Sequence, residues 1–231
     1  GQMTVRALYV AGQHYEVTGE GYGPEGGVRG AGKKVETQHA APLLELATVL
    51  LACNNAHLVH ENGEWKAIGD PTEGALLTAG GKAGGNRERV EQELPRRTEI
   101  PFDSDRKRMS VVRRREDAAW AYVKGAPEVI LERCTRLRTA SGSEPLDDAT
   151  RARFRQAIAL LAVEALRVLA VAERRLPSEG EEDIERDLHH DGGFHDPVPA
   201  VDGQRVIREP AGHVGDLGVR ETGMLASASD Y

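Results

Sequence analysis

The sequence predicts an α+β fold: a twisted antiparallel sheet flanked by helices, followed by an irregular C-terminal tail. Two pairs of alternating apolar and polar segments, each joined by a short turn, read as hairpins near residues 3–18 and 109–125. Segments with helical apolar spacing lie between and after them, and helices interleaved with hairpins pack on one antiparallel sheet. Past Pro177 the periodicity stops.

MTVRALYV (3–10) alternates and is followed by AGQ and HYEVTG, two strands of a hairpin. A glycine-rich loop covers 19–34. PLLELATVLLACNNA (42–56) has apolar residues at helical spacing and ends near the helix-poor pair Asn54-Asn55. EWKAIG (64–69) is a short strand. In DPTEGALLTAGGKAG (70–84), Asp70 is a good N-cap, Pro71 suits the first helical position and Glu73 falls three residues after the cap. That helix weakens at Gly80-Gly81. MSVVRRR (109–115) and AAWAYVKG (118–125) flank a turn at Glu116-Asp117. PEVILERC (127–134) is a helix started by Pro127, residues 147–166 form the longest helix, and LRVLAVAERR (166–175) reads as a strand. No internal repeat stands out.

The chain has 231 residues, enough to bury a real core. Its net charge of −7 argues against a nucleic-acid partner, because basic character is local: Arg106, Lys107, Arg108, Arg113, Arg114 and Arg115 crowd residues 101–115. Cys53 and Cys134 lie far apart and form no C-x-x-C pair, which fits reduced thiols rather than a disulfide scaffold. No apolar run reaches the roughly 18 residues of a membrane span and no signal peptide is visible, so direct membrane insertion by this chain is not expected.

GVRGAGKK (27–34) matches the G-x-x-x-x-G-K pattern of a phosphate-binding loop. Lys34 stands where a magnesium-holding hydroxyl belongs, and GEGYGPEGG is too broken by glycine and Pro24 to be the strand such a loop follows. A mobile surface loop is the expectation here.

Three other stretches join turn chemistry to groups suited to a nucleotide. FDSDRKRMS (102–110) sets an aromatic ring beside a cluster of cations just before a strand. An exposed Phe102 can stack on a base, and Lys107 can reach phosphates. On pattern alone, a core Phe102 beneath a solvated charged face fits better. VKGAPE (123–128) places Lys124 at a strand end and removes side-chain bulk at Gly125 and Ala126, which admits a ligand or simply makes a strand-to-helix turn. In GDPTEGALL (69–77), Glu73 can accept from an exocyclic amine, or serve its helix N-terminus.

In this order the three stretches resemble the cytoplasmic nucleotide-binding (N) domain of P-type cation-transporting ATPases, in the calcium-pump-like subgroup. That family shows GDPTE-x-AL, F-D/S-x-x-x-R/K-x-MS, KGAPE and an LR-x-L-A strand, here LRVLAVA (166–172). GQMTV also looks like the residues after the family's phosphorylated D-K-T-G-T-L-T segment. The resemblance covers about residues 1–188 and implies a nucleotide-binding domain there, with 189–231 an irregular or disordered tail. It implies that Phe102 stacks on adenine, Glu73 bonds its amino edge, and Lys124, Gly125 and Ala126 form the pocket floor. Met109 and Leu169 add apolar walls, while Lys107 and Arg167 approach the phosphates.

The implied ligand is ATP, with Mg2+ in the intact pump. The implied partners are the phosphorylation and actuator domains of a parent pump, and the implied setting is a cytoplasmic domain of an integral membrane protein. The D-K-T-G acceptor and the G-D-G-x-N-D segment do not occur in this sequence, so the chain is expected to bind ATP without turning it over. A regulatory or protein-interaction domain with little nucleotide affinity is the alternative. In the tail, His189, His190 and His195 with Asp191 and Asp196 offer metal ligands, but a solvated polar cluster is the expected reading, and no metal site is assigned.

Overall fold

The computed structural model describes residues 2–10, 13–37, 40–139, 142–163, 167–176, 204–205 and 225–228. The first hairpin forms as its alternation requires: β1 (Thr4–Val10) pairs with β2 (Gln13–Thr18), setting Leu8 opposite Tyr15. The strands continue where a loop was expected. β3 (Gly27–Gly30) pairs with β2, and β4 (Lys33–Lys34) folds back on β3. Ala31 and Gly32 have φ of 49° and 76°, the two left-handed residues that match a tight turn to the strand twist. GVRGAGKK is thus a hairpin rather than a mobile loop, and it feeds no helix at Lys33-Lys34.

Helix α1 (Ala41–Ala52) carries Pro42 in its first turn and buries Leu43, Leu46, Ala47, Val49, Leu50 and Leu51. Each fully buried leucine contributes about 1.5–3 kcal/mol of transfer free energy, so this helix anchors the core. It packs against β1, against the strands at 118–125 and 167–175, and against the helix at 71–82. Between the helices, β5 (His57–Glu61) and β6 (Glu64–Ile68) make a separate hairpin about Asn62-Gly63, φ 54° and 81°. Helix α2 (Pro71–Lys82) starts as expected, with Asp70 Oδ1 accepting from Glu73 N at 3.1 Å. The short α3 (Arg87–Glu93) is capped by Asn86.

β7 (Arg96–Asp103), β8 (Arg108–Arg115) and β9 (Ala118–Gly125) form a meander, and α4 (Pro127–Arg133) leaves directly from β9. A hairpin of β10 (Arg136–Thr139) and β11 (Gly142–Pro145) leads to α5 (Asp148–Val163), then β12 (Arg167–Arg175) pairs with β9. In the tail, β13 (Gln204–Arg205) pairs with β12, and β14 (Leu225–Ala228) runs between β1 and β12. The main sheet therefore runs β4-β3-β2-β1-β14-β12-β9-β8-β7, all antiparallel, with β13 beside it on β12. The α+β architecture of the sequence analysis is the observed one. The histidines and aspartates at 189–196 lie outside the described residues. No helix among the described residues is long and apolar enough to cross a membrane.

Candidate functional site

The centre of the site is set by strand register. Met109 on β8, Lys124 on β9 and Val171 on β12 stand directly opposite one another, and opposed residues of antiparallel strands share a face. Leu169, two residues before Val171, points the same way. Three of the expected residues, Met109, Lys124 and Leu169, are therefore brought to one face of the sheet. Met109 and Lys124 are buried and Leu169 is half-buried.

That face meets the C-terminal end of α1, whose last carbonyls have no partner within the helix. Cationic side chains take up the last two of the helix, at Leu51 and Ala52, and the two carbonyls that follow at Cys53 and Asn54. Arg87 donates to Leu51 O, Arg113 Nε to Ala52 O at 2.8 Å, Lys124 Nζ to Cys53 O at 2.8 Å, and Arg96 Nη2 to Asn54 O at 2.8 Å. Positive charge at a helix C-terminus is the stabilising sign. Arg113, one of the basic residues crowded into 101–115, is fully buried here and held bidentately by Glu91 at 2.8 and 2.9 Å. Arg108 is buried as well; its desolvation, with the nearby charges of Arg133 and Arg106, brings its pKa down to about 10. Burial pushes the Cys53 thiol up to about 11, so it stays neutral and donates to Met109 O at 3.6 Å.

Glu73 does not spend its carboxylate on its own helix cap. Its Oε1 pairs with Lys124, and its Oε2 accepts from the backbone N–H of Asn55 at 3.2 Å. Water reaches only 11% of its side chain. Each carboxylate oxygen retains a second lone pair, so the group can still accept from a ligand. Asn54 ties the two helices together by donating from Nδ2 to Glu73 O at 2.9 Å while its Oδ1 accepts from Ala56 N. One residue before Glu73, Thr72 Oγ1 lies 3.3 Å from Arg167 Nη1, which brings the exposed Arg167 to the start of α2.

Gly125 has a packing reason to lack a side chain. A Cβ there would fall 2.4 Å from Lys107 O and 2.7 Å from Arg108 Cβ. Lys107, exposed and left-handed with φ 51°, closes the β7–β8 turn, and its carbonyl accepts from Ala126 N at 2.9 Å. The two loops carrying Lys107 and Gly125-Ala126 are thus one unit. Phe102 sits next to that turn with 61% of its surface exposed, and Ile68 is the other large apolar residue left in water among the described residues. The structure thus leaves Phe102 outside the core.

Thr72, Asn55, Arg96 and Glu99 were not anticipated. Thr72 was within the quoted GDPTE stretch, while Asn55 carried only a helix-ending signal. Arg96 and Glu99 had none.

Residues 42–198 match the family model described as "P-type ATPase, cytoplasmic domain N". The chain belongs to this family. Among curated proteins, this N domain is 38% identical over 179 residues to the "Cation-transporting ATPase pma1" of Synechocystis, covering 75% of this chain and 19% of that protein. It is 34% identical over 215 residues to a "Calcium-transporting ATPase" of Bacillus subtilis, covering 90% of this chain and 24% of that protein. A "Probable cation-transporting ATPase F" of Mycobacterium bovis is 36% identical over 171 residues, 73% of this chain and 19% of its own length. The chain spans less than a quarter of the length of these relatives.

Proposed function

We propose that this N domain binds the adenine end of ATP and presents the γ-phosphate to a phosphorylation domain carried elsewhere in a cation-transporting pump. Phe102 carries the reading. An apolar ring held 61% exposed beside a rigid turn is a stacking surface waiting for a partner. Glu73, fixed by Lys124 and Asn55, accepts from the adenine amino group. Lys124, Gly125 and Ala126 form the floor, Met109 and Leu169 supply apolar wall, and the exposed Lys107 and Arg167 neutralise phosphate charge. None of these side chains is a nucleophile or a base placed to cleave ATP, so the chain holds and orients its ligand. Mg2+ and the acceptor aspartate belong to the intact pump, whose phosphorylation and actuator domains are the partners. The relatives' names support a cation as the transported species.

Calorimetric and NMR titration with ATP tests this. Weak saturable binding is expected, with shifts at Phe102 and Lys107. Phe102→Ala is expected to weaken it by about 1–3 kcal/mol, the value of a lost base stack. An unchanged affinity in that variant removes Phe102 from the site. No binding by the wild-type chain at millimolar ATP favours a regulatory or protein-interaction role for the same fold.

A further inference from the structure

Beside Glu73, Arg96 and Glu99 of β7 and Asn55 of the loop after α1 close a hydrogen-bonded ring. Arg96 Nη1 donates to Asn55 Oδ1 at 2.6 Å and to Glu99 Oε2 at 3.0 Å, and Asn55 Nδ2 donates to Glu99 Oε1 at 2.7 Å. Arg96 also donates through Nη2 to Asn54 O at 2.8 Å. The 54–55 peptide is therefore gripped at its carbonyl by Arg96, with Arg87 Nη2 a second donor at 3.2 Å, while its N–H holds Glu73 Oε2 at 3.2 Å. Asn55 is exposed, and the side chains of Arg96 and Glu99 keep 30% and 25% of their surface. A ring this accessible adds modestly to stability. What it does achieve is geometric. It fixes the direction of the backbone donor to Glu73 Oε2, the carboxylate oxygen that Lys124 does not hold.

We infer that Arg96, Asn55 and Glu99 are positioning residues for base selection: they hold Glu73 so that its carboxylate meets an exocyclic amine and rejects a carbonyl at the same place. This rests on the nucleotide-binding reading above. A carboxylate held at one angle discriminates donor from acceptor through its fixed lone pairs, whereas one free to rotate meets either group with water between. Asn55 itself has its amide oxygen and one amide hydrogen committed within the ring, so it acts on the base through Glu73.

The discriminating pair of ligands is ATP and inosine triphosphate, which differ by an amino group replaced with a carbonyl. Wild-type chain is expected to prefer ATP. Glu73→Gln should cut that preference about tenfold, the scale of a hydrogen bond to a charged group. Arg96→Ala and Asn55→Ala should each cut it about threefold or more, with Arg96→Lys recovering part of it because an ammonium still reaches Glu99 or Asn54 O. Glu99→Gln, which keeps the shape and an acceptor for Asn55, serves as the fifth variant should Arg96→Ala fail to fold. A structural role alone would lower both affinities by one factor and leave the ratio untouched. If Glu73→Gln collapses the ratio while the ring variants keep it, the ring has no part in selection and base reading by Glu73 stands. An unchanged ratio in Glu73→Gln overturns both.

Discussion

Replacing Lys124 by methionine is expected to destabilise the domain strongly before any ligand is added. Lys124 Nζ serves two acceptors, Cys53 O at 2.8 Å and the carboxylate of Glu73, and only 10% of its side chain meets water. Lys124→Met fills the space with a side chain of similar length but strands both acceptors. Glu73 is left with one backbone N–H, and the Cys53 carbonyl at the end of α1 with no cation. Removing one partner of a buried ion pair costs about 3–5 kcal/mol, because the remaining charge has lost its compensation. For a domain of this size 3 kcal/mol corresponds to roughly 6–12 °C in Tm. The double variant Lys124→Met, Glu73→Gln removes both charges, so its loss should fall short of the sum of the single losses by about 1 kcal/mol or more. Urea unfolding of the four proteins by circular dichroism measures this cycle. A single-variant loss below about 1 kcal/mol, or additivity within about 0.5 kcal/mol, refutes the argument. One practical consequence follows for ligand studies: reduced ATP binding by a Lys124 variant reports direct contact only where that variant is shown to be folded.

Gly125→Ala should cost about 1–3 kcal/mol by overpacking, since the new methyl meets Lys107 O at 2.4 Å; an unchanged urea midpoint would mean that the β7–β8 turn yields freely. Burial raises the Cys53 and Cys134 thiols to about 11 and about 12, so neither should react with a disulfide reagent at pH 8 until the chain is denatured, when both should. The unfolded thiols ionise near pH 8.5 while the folded ones stay protonated, so their contribution to stability is intact below that pH and declines as pH rises toward 11. A stability that climbs over that interval contradicts the buried placement. A chain ending at Leu188 keeps every residue assigned to the nucleotide but loses β14, which pairs with both β1 and β12. It should melt at a lower temperature yet bind ATP within about threefold of the full chain; a drop beyond tenfold would place part of the site in residues 189–231.

The local signals in the sequence were sufficient for the local structure. Asp70-Pro71 started α2 because a side-chain acceptor and a proline satisfy a helix N-terminus without help from elsewhere, and the Glu116-Asp117 turn joined β8 to β9 at the expected place. Asn62-Gly63 is an equally local hairpin signal, and it marks the turn between β5 and β6. Four spaced motifs were enough to reach the family, because each is a short contiguous run. The partners of those motifs were a different matter. Glu73 reads as a cap residue until α1 and β9 bring Asn55 and Lys124 to it across 18 and 51 positions. Arg113 reads only as one member of a basic run until α1 presents it an unpaired carbonyl. Phe102 on pattern alone reads better as core than as surface; only the packed sheet, which leaves its ring in water, reverses that. Capping and turn preferences act over a few residues and are written in the chain. Burial and the pairing of charges depend on which distant groups share one small volume, and that is settled only when the helices close on the sheet.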